Sequence, residues 1–289
     1  MGTRWRTVLA VTALAVLTGC DAAAQPPVTS GPPAPVRSTW RLGHRIPASS
    51  GFRVVARSVS AYEESTTVVR GGAKCYISHN PSGTYGPENM VGEKIPVEVA
   101  GRPGVRDGAG AEGAYLMWQQ PDQSWASSSC YPDEDPRQLL RAAEAVVWKP
   151  SSIALPFDLQ TLPAGYDVAS IDTDLQTGST GVHIGLPLGP GSAAADLVLS
   201  FDPPYGVTGG RPVAVGGRTG TLSEDPQSPR LCLVEQGHQV CVGAESSDTG
   251  PYPDRSDQVP TLLAIAGALR FPADLSDRSD WFAAEDVFG

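Results

Sequence analysis

Four histidines, His44, His79, His183 and His238, are the side chains best suited to move a proton or hold a metal near neutral pH. Their spacing assembles neither chemistry. No HxxxH or HExxH run occurs and none lies beside a paired CxxC, so no zinc centre is expected. His79 aligns with Phe201 in the internal repeat described below, and His238 falls in a turn. There is no GxSxG elbow, no P-loop and no GxGxxG between a strand and a helix, which leaves hydrolase and nucleotide-binding chemistry without a motif. Asp172, Asp174 and Gln176 resemble the first half of a calcium loop, but glycine arrives one place late at Gly178 and the twelfth position is His183, where glutamate is needed. A polar hairpin turn is the reading that fits. Trp118 and Trp125 could form a sugar-stacking platform, yet both fall at core positions of the repeat and are read as packing. No cofactor and no catalytic residue is assigned, and the chain is read as a non-enzyme.

Cys20 is the one residue whose chemistry the sequence specifies. It closes the run Leu17, Thr18, Gly19, Cys20 behind Arg4, Arg6 and an apolar stretch from Thr7 to Leu17. That stretch has the length of a signal peptide and is too short to span a bilayer. The run has the form of a lipobox, so residues 1–19 are expected to be removed and Cys20 to carry diacyl and N-acyl lipid, since a single chain anchors only marginally. Residues 20–38 then form the anchor and a Pro- and Ala-rich tether with too little apolar periodicity to bury a core. The expected location is the extracytoplasmic face of the cell membrane.

Loss of residues 1–19 leaves 19 basic and 31 acidic residues, a net charge of −12. Phosphate backbones and anionic headgroups are repelled by such a surface, so no nucleic-acid partner is expected and membrane contact rests on the lipid at Cys20. Cys75, Cys130, Cys232 and Cys241 remain, an even number in a compartment that permits disulfides. Four cysteines allow three connectivities; the repeat favours one pairing within each half.

The chain matches itself at an offset near 116: Pro96, Val97, Val99, Gly101, Arg102 and Gly104 fall on Pro212, Val213, Val215, Gly217, Arg218 and Gly220. Downstream, Leu139, Leu140, Ala143 and Trp148 match Leu262, Leu263, Ala266 and Phe271 at an offset of 123, which places a seven-residue insertion around Thr249 to Asp254. Each copy reads as short alternating strands, such as Phe52 to Val55, Lys74 to Ile77, Pro96 to Val99 and Tyr115 to Trp118, followed by one helix. The first helix has Asp135 as N-cap, Pro136 at its first position and Leu139, Leu140, Ala143, Val146 and Val147 as its apolar stripe. The second runs from about Asp257 to Arg270. The expected fold class is α+β, two tandem repeats, each an antiparallel sheet covered by a C-terminal helix: repeat 1 over 39–150, repeat 2 over 151–272, and an acidic-aromatic tail over 273–289. In copy two, Gln236 and Gly237 form a two-residue turn that sets Cys232 opposite Cys241; Leu116 and Trp125 are expected to make the equivalent apolar pair in copy one.

The string PVxVxGRxG, followed by a hairpin and then LLxxA with a final aromatic, resembles repeats in exported lipoproteins and anti-sigma-factor-type membrane proteins of actinobacteria. It is similar also to an extracytoplasmic domain of unknown function in other Gram-positive bacteria. The resemblance implies an interaction or sensing module and brings no catalytic residues. The expected partner is an envelope protein or a hydrophobic ligand such as a lipid, the latter requiring an apolar cavity of several hundred Å³.

Overall fold

The computed structural model of the chain describes residues 40–80, 85–107, 115–131, 136–189, 192–202, 209–244 and 254–288. The signal peptide, Cys20, the tether, Asp135 and nearly all of the expected insertion lie outside the described residues.

Fourteen strands form one continuous antiparallel sheet. In chain order they are β1 (Arg53–Ser60), β2 (Glu64–Arg70), β3 (Ala73–Asn80), β4 (Lys94–Val99), β5 (Arg102–Asp107), β6 (Tyr115–Gln119), β7 (Trp125–Tyr131), β8 (Asp167–Asp174), β9 (Thr180–Gly189), β10 (Ser192–Phe201), β11 (Arg211–Val215), β12 (Arg218–Leu222), β13 (Arg230–Glu235) and β14 (His238–Ala244). Starting from the middle, the first seven lie in the order β1-β2-β3-β7-β6-β5-β4 and the other seven in the order β8-β9-β10-β14-β13-β12-β11. β1 and β8 pair with each other, Ser60 opposite Ser170 and Arg57 opposite Thr173, so the two runs meet at a seam.

This corrects the expected fold class. The chain is mostly β, dominated by one sheet, and is not a pair of α+β repeats each closed by a helix. The seam is the physical reason: pairing β1 with β8 consumes the backbone donors and acceptors that two separate sheets would each have left on an edge. Helix is a minor component, α1 (Pro136–Glu144), α2 (Val259–Ala268) and α3 (Ala284–Phe288) having nine, ten and five residues. α1 buries Leu139, Ala142 and Ala143 but stops at Glu144, so Val146 and Val147 lie beyond it, Val147 bridging Arg45 instead. α2 buries Leu262, Ile265 and Ala266. Leu269 and Arg270 leave that helix as a two-residue strand against Asp158 and Leu159.

Cys75 is bonded to Cys130 across β3 and β7, and Cys232 to Cys241 across β13 and β14, each pair directly opposite with Cα atoms 4.0 Å apart. The second pair sits above the turn Gln236–Gly237, whose φ angles of 49° and 83° are the left-handed values a two-residue hairpin requires. The first-half hairpin differs from expectation. Its turn runs through Gln120 to Ser124, and the longer loop sets Leu116 opposite Ser128 and Trp125 opposite Gln119, so Leu116 and Trp125 do not face each other.

The tail docks on the fold. Phe282 and Ala283 pair with Leu155 and Ala154, the Trp281 indole donates to the Leu275 carbonyl at 3.1 Å, and its ring lies edge-on to Phe201 at 5.4 Å. Glu285 accepts from Arg41 and from Ser152, each at 2.6 Å, which ties the tail to the leading segment of the described chain.

Candidate functional site

Among the described residues, two places bring chemistry-bearing side chains together. The first is a buried polar cluster in the first half. Glu64 begins β2 and His79 nears the end of β3, where the ladder sets them opposite each other. Glu64 Oε1 contacts His79 Nδ1, and its other oxygen accepts from the Gly43 amide. His79 Nε2 lies 2.8 Å from Ser124 Oγ, and that hydroxyl donates to Asp122 Oδ1 at 2.5 Å. Beside this line, His44 Nε2 is 3.0 Å from Thr66 Oγ1. The Trp148 ring covers both histidines, 5.0 Å from His79 and 5.6 Å from His44. Glu64 and His44 are fully buried, and Ser124 is 7% exposed.

The order acid, histidine, serine is that of a catalytic triad, but the proton arrangement differs. In a triad the serine hydroxyl donates to the histidine, leaving its oxygen free to attack. Here the hydroxyl donates to Asp122, so the lone pair it turns to His79 accepts a proton from Nε2. The other ring nitrogen, Nδ1, faces Glu64, so the ring is held from both sides. Burial pushes Asp122 up, but the hydroxyl and amide of Ser124 and the charge of His79 outweigh it and hold the carboxyl below its ordinary range. Such a line is a closed network, and through Gly43 and Thr66 it clasps the segment that leads into the sheet.

The second place is the seam. One cross-strand row on its covered face runs Thr66, Arg57, Thr173, Thr180, bounded by Ile77 at one end and Phe201 at the other. Residues opposite one another in adjacent strands share a face, so four polar side chains lie side by side at the centre of a sheet whose other covered positions are mainly apolar. A cleft of about 210 Å³ opens there between the sheet, Ile153 and the docked tail at Arg278 and Trp281. A second hollow of about 400 Å³, lined by Ile46, Ala48, Phe52 and Val54, is shallow and open to solvent.

The remaining sequence candidates resolve into local structure. Asp172 meets His183 at 3.2 Å, while Asp174 caps its own turn by accepting from the amides of Gln176 and Thr177, so the residues of the calcium-like loop do not converge. His238 Nδ1 is 2.7 Å from Asp202 and its ring stacks on Phe201. Among the described residues no group of three or more His, Cys, Asp or Glu could hold a metal. Trp118 is core, at 1% exposure. Among the described residues no helix is long and apolar enough to cross a membrane.

Neither cluster was visible in the sequence. Glu64 and His79 face each other across one hairpin but Ser124 comes from the turn before β7, 45 residues beyond His79, and Arg57 and Arg278 come from opposite ends of the chain. Only the local part carried a signal: Asp122 and Ser124 form a D-x-S turn, as do Asp254 and Ser256, Asp274 and Ser276, and Asp277 and Ser279, each serine amide donating to its aspartate. No protein-family model matches the chain, and no curated protein matches it either.

Proposed function

We propose that the chain is a lipid-anchored, extracytoplasmic module of the cell envelope that works by binding or sensing and not by catalysis. The observation that carries the reading is the Ser124 hydroxyl, which donates to Asp122 and lies beneath the surface. Two disulfides suit an oxidising compartment, and the lipobox at Cys20 supplies a tether. The test is fractionation of the native cell followed by proximity labelling from the full chain. The reading expects the protein in the membrane fraction, Cys20→Ser released from it, and a reproducible set of envelope neighbours around the anchored form. Equal release of both forms, or no enrichment over a lipidated control, would overturn it.

One arrangement favours a second reading. His79 stands within hydrogen-bond reach of Ser124 with Glu64 behind it, so a fluorophosphonate probe that labels Ser124 would make the chain a serine hydrolase. A carrier for a hydrophobic envelope ligand draws less support. The seam cleft is smaller than the roughly 300 to 1,000 Å³ of ligand pockets and is walled by two arginines.

A further inference from the structure

We infer that the seam cleft is a binding site for a single small oxyanion group, a carboxylate, phosphate or sulfate, held between Arg57 and Arg278. Arg57 projects from β1 into the row of Thr66, Thr173 and Thr180, half-buried under the tail. Among the described residues no carboxylate pairs with it, and burial alone lowers its affinity for a proton. A guanidinium in that position loses hydration without gaining a counter-charge, which is costly unless something charged arrives. Arg278 lines the same cleft from the docked tail. Its guanidinium lies over the Trp281 ring at 5.2 Å and against Gly178, and no described carboxylate pairs with it.

Two arginines thus face one cleft in a chain of net charge −10. Thr173, Ser179 and Thr180 line the same walls; the Thr173 hydroxyl donates to the Arg57 carbonyl at 3.4 Å, Ser179 Oγ meets Thr177 Oγ1 at 2.8 Å, and the Thr180 hydroxyl can donate to an anion. Asp174 also lines the cleft, its Oδ1 engaged by the Gln176 and Thr177 amides. The three charges sum to +1, which suits one oxyanion group and opposes a polyanion. The volume of about 210 Å³ is likewise that of a small head group. Gly178, at a φ of +85° that disfavours any other residue, lines the cleft beside the Arg278 guanidinium.

This inference rests on the binding reading above and names the ligand class for it. The test uses the purified full chain in detergent, so its failure is separate from any failure of membrane tethering. Inorganic phosphate, sulfate and acetate are titrated by calorimetry at ionic strength held constant with sodium chloride. The expected result is a saturable one-site isotherm with at least one of the three, weakened tenfold or more in Arg57→Met and in Arg278→Gln. Arg211→Gln, on the far edge strand, should leave it unchanged. Without added oxyanion, Arg57→Met should melt no lower than wild type, and it should lose the stabilisation that oxyanion gives the wild type. The inference is overturned by linear heats with all three anions, by wild-type affinity in both arginine variants, or by an effect that chloride reproduces. Preference for phosphate and sulfate over acetate would point to an ester head group, and the reverse to a carboxylic acid.

Discussion

His79 and Ser124 meet at 2.8 Å between Nε2 and Oγ, yet the serine proton points away from the ring, toward Asp122. In that arrangement the two side chains are links in one line from Glu64 to Asp122. It follows that truncation should cost stability. Ser124→Ala leaves His79 and Asp122 without a shared partner and should lower the unfolding free energy by about 1 to 3 kcal/mol. Glu64→Gln replaces the buried carboxyl group that meets both His79 and the Gly43 amide and should cost about 1 to 3 kcal/mol. Urea unfolding of each variant checks this, and midpoints equal to wild type would mean that the cluster braces nothing.

Gly43 is constrained by the same cluster. A Cβ at that position would stand 2.8 Å from Glu64 Oε1, and Glu64 is tied to both His79 and the Gly43 amide. Gly43→Ala should therefore push the carboxylate off His79, at the roughly 1 to 3 kcal/mol typical of overpacking. In the Glu64→Gln background the further loss should be smaller. A double-mutant cycle reads the coupling, and strict additivity would place Gly43 outside the cluster.

The two disulfides close loops of very different length, with sequence separations of 55 for Cys75–Cys130 and 9 for Cys232–Cys241. The chain-entropy account gives about 4 kcal/mol for the first and about 2.7 kcal/mol for the second. Paired Cys→Ala variants should accordingly lose more stability at 75 and 130 than at 232 and 241. The reverse order in chemical denaturation would show that native packing around the hairpin, and not loop closure, sets the contribution.

Acid should loosen the fold in a defined window. Burial alone would raise Asp172, but hydrogen bonds from His183 and Ser58 and the charge of His183 hold it below the ordinary 3.8, and Asp122 is lowered through Ser124 and His79. A carboxylate depressed in the folded state adds stability above its unfolded value and loses it as pH falls through the folded one. Urea midpoints should decline as pH falls below about 4. Asp122→Asn and Asp172→Asn should each make that decline shallower, and wild-type slopes in both would remove these groups from the account.

What could be read in the sequence was what is made locally. The Cys232 to Cys241 hairpin is legible because a two-residue turn with glycine fixes its register over ten residues. The cores of α1 and α2 are legible because the stripes Leu139, Ala143 and Leu262, Ala266 are spaced for one helix face. The fold class is not legible because nothing local says that β1 will pair with β8: both strands alternate as any half-buried strand does, and only their union makes one sheet. The Leu116 and Trp125 pairing failed for a related reason, since an offset between copies carries no information about a longer turn at Gln120 to Ser124. The contacts of His79 with Ser124 and the shared cleft of Arg57 and Arg278 had no signal because each joins parts of the chain far apart in sequence.

The most direct measurement of the seam as a ligand site is amide hydrogen exchange of the full chain with and without saturating phosphate. The account predicts slowing confined to β1 around Arg57, the hairpin from Thr173 to Thr180, and the tail from Arg278 to Trp281. Unchanged rates at all three segments, or slowing spread evenly over the fourteen strands, would contradict it.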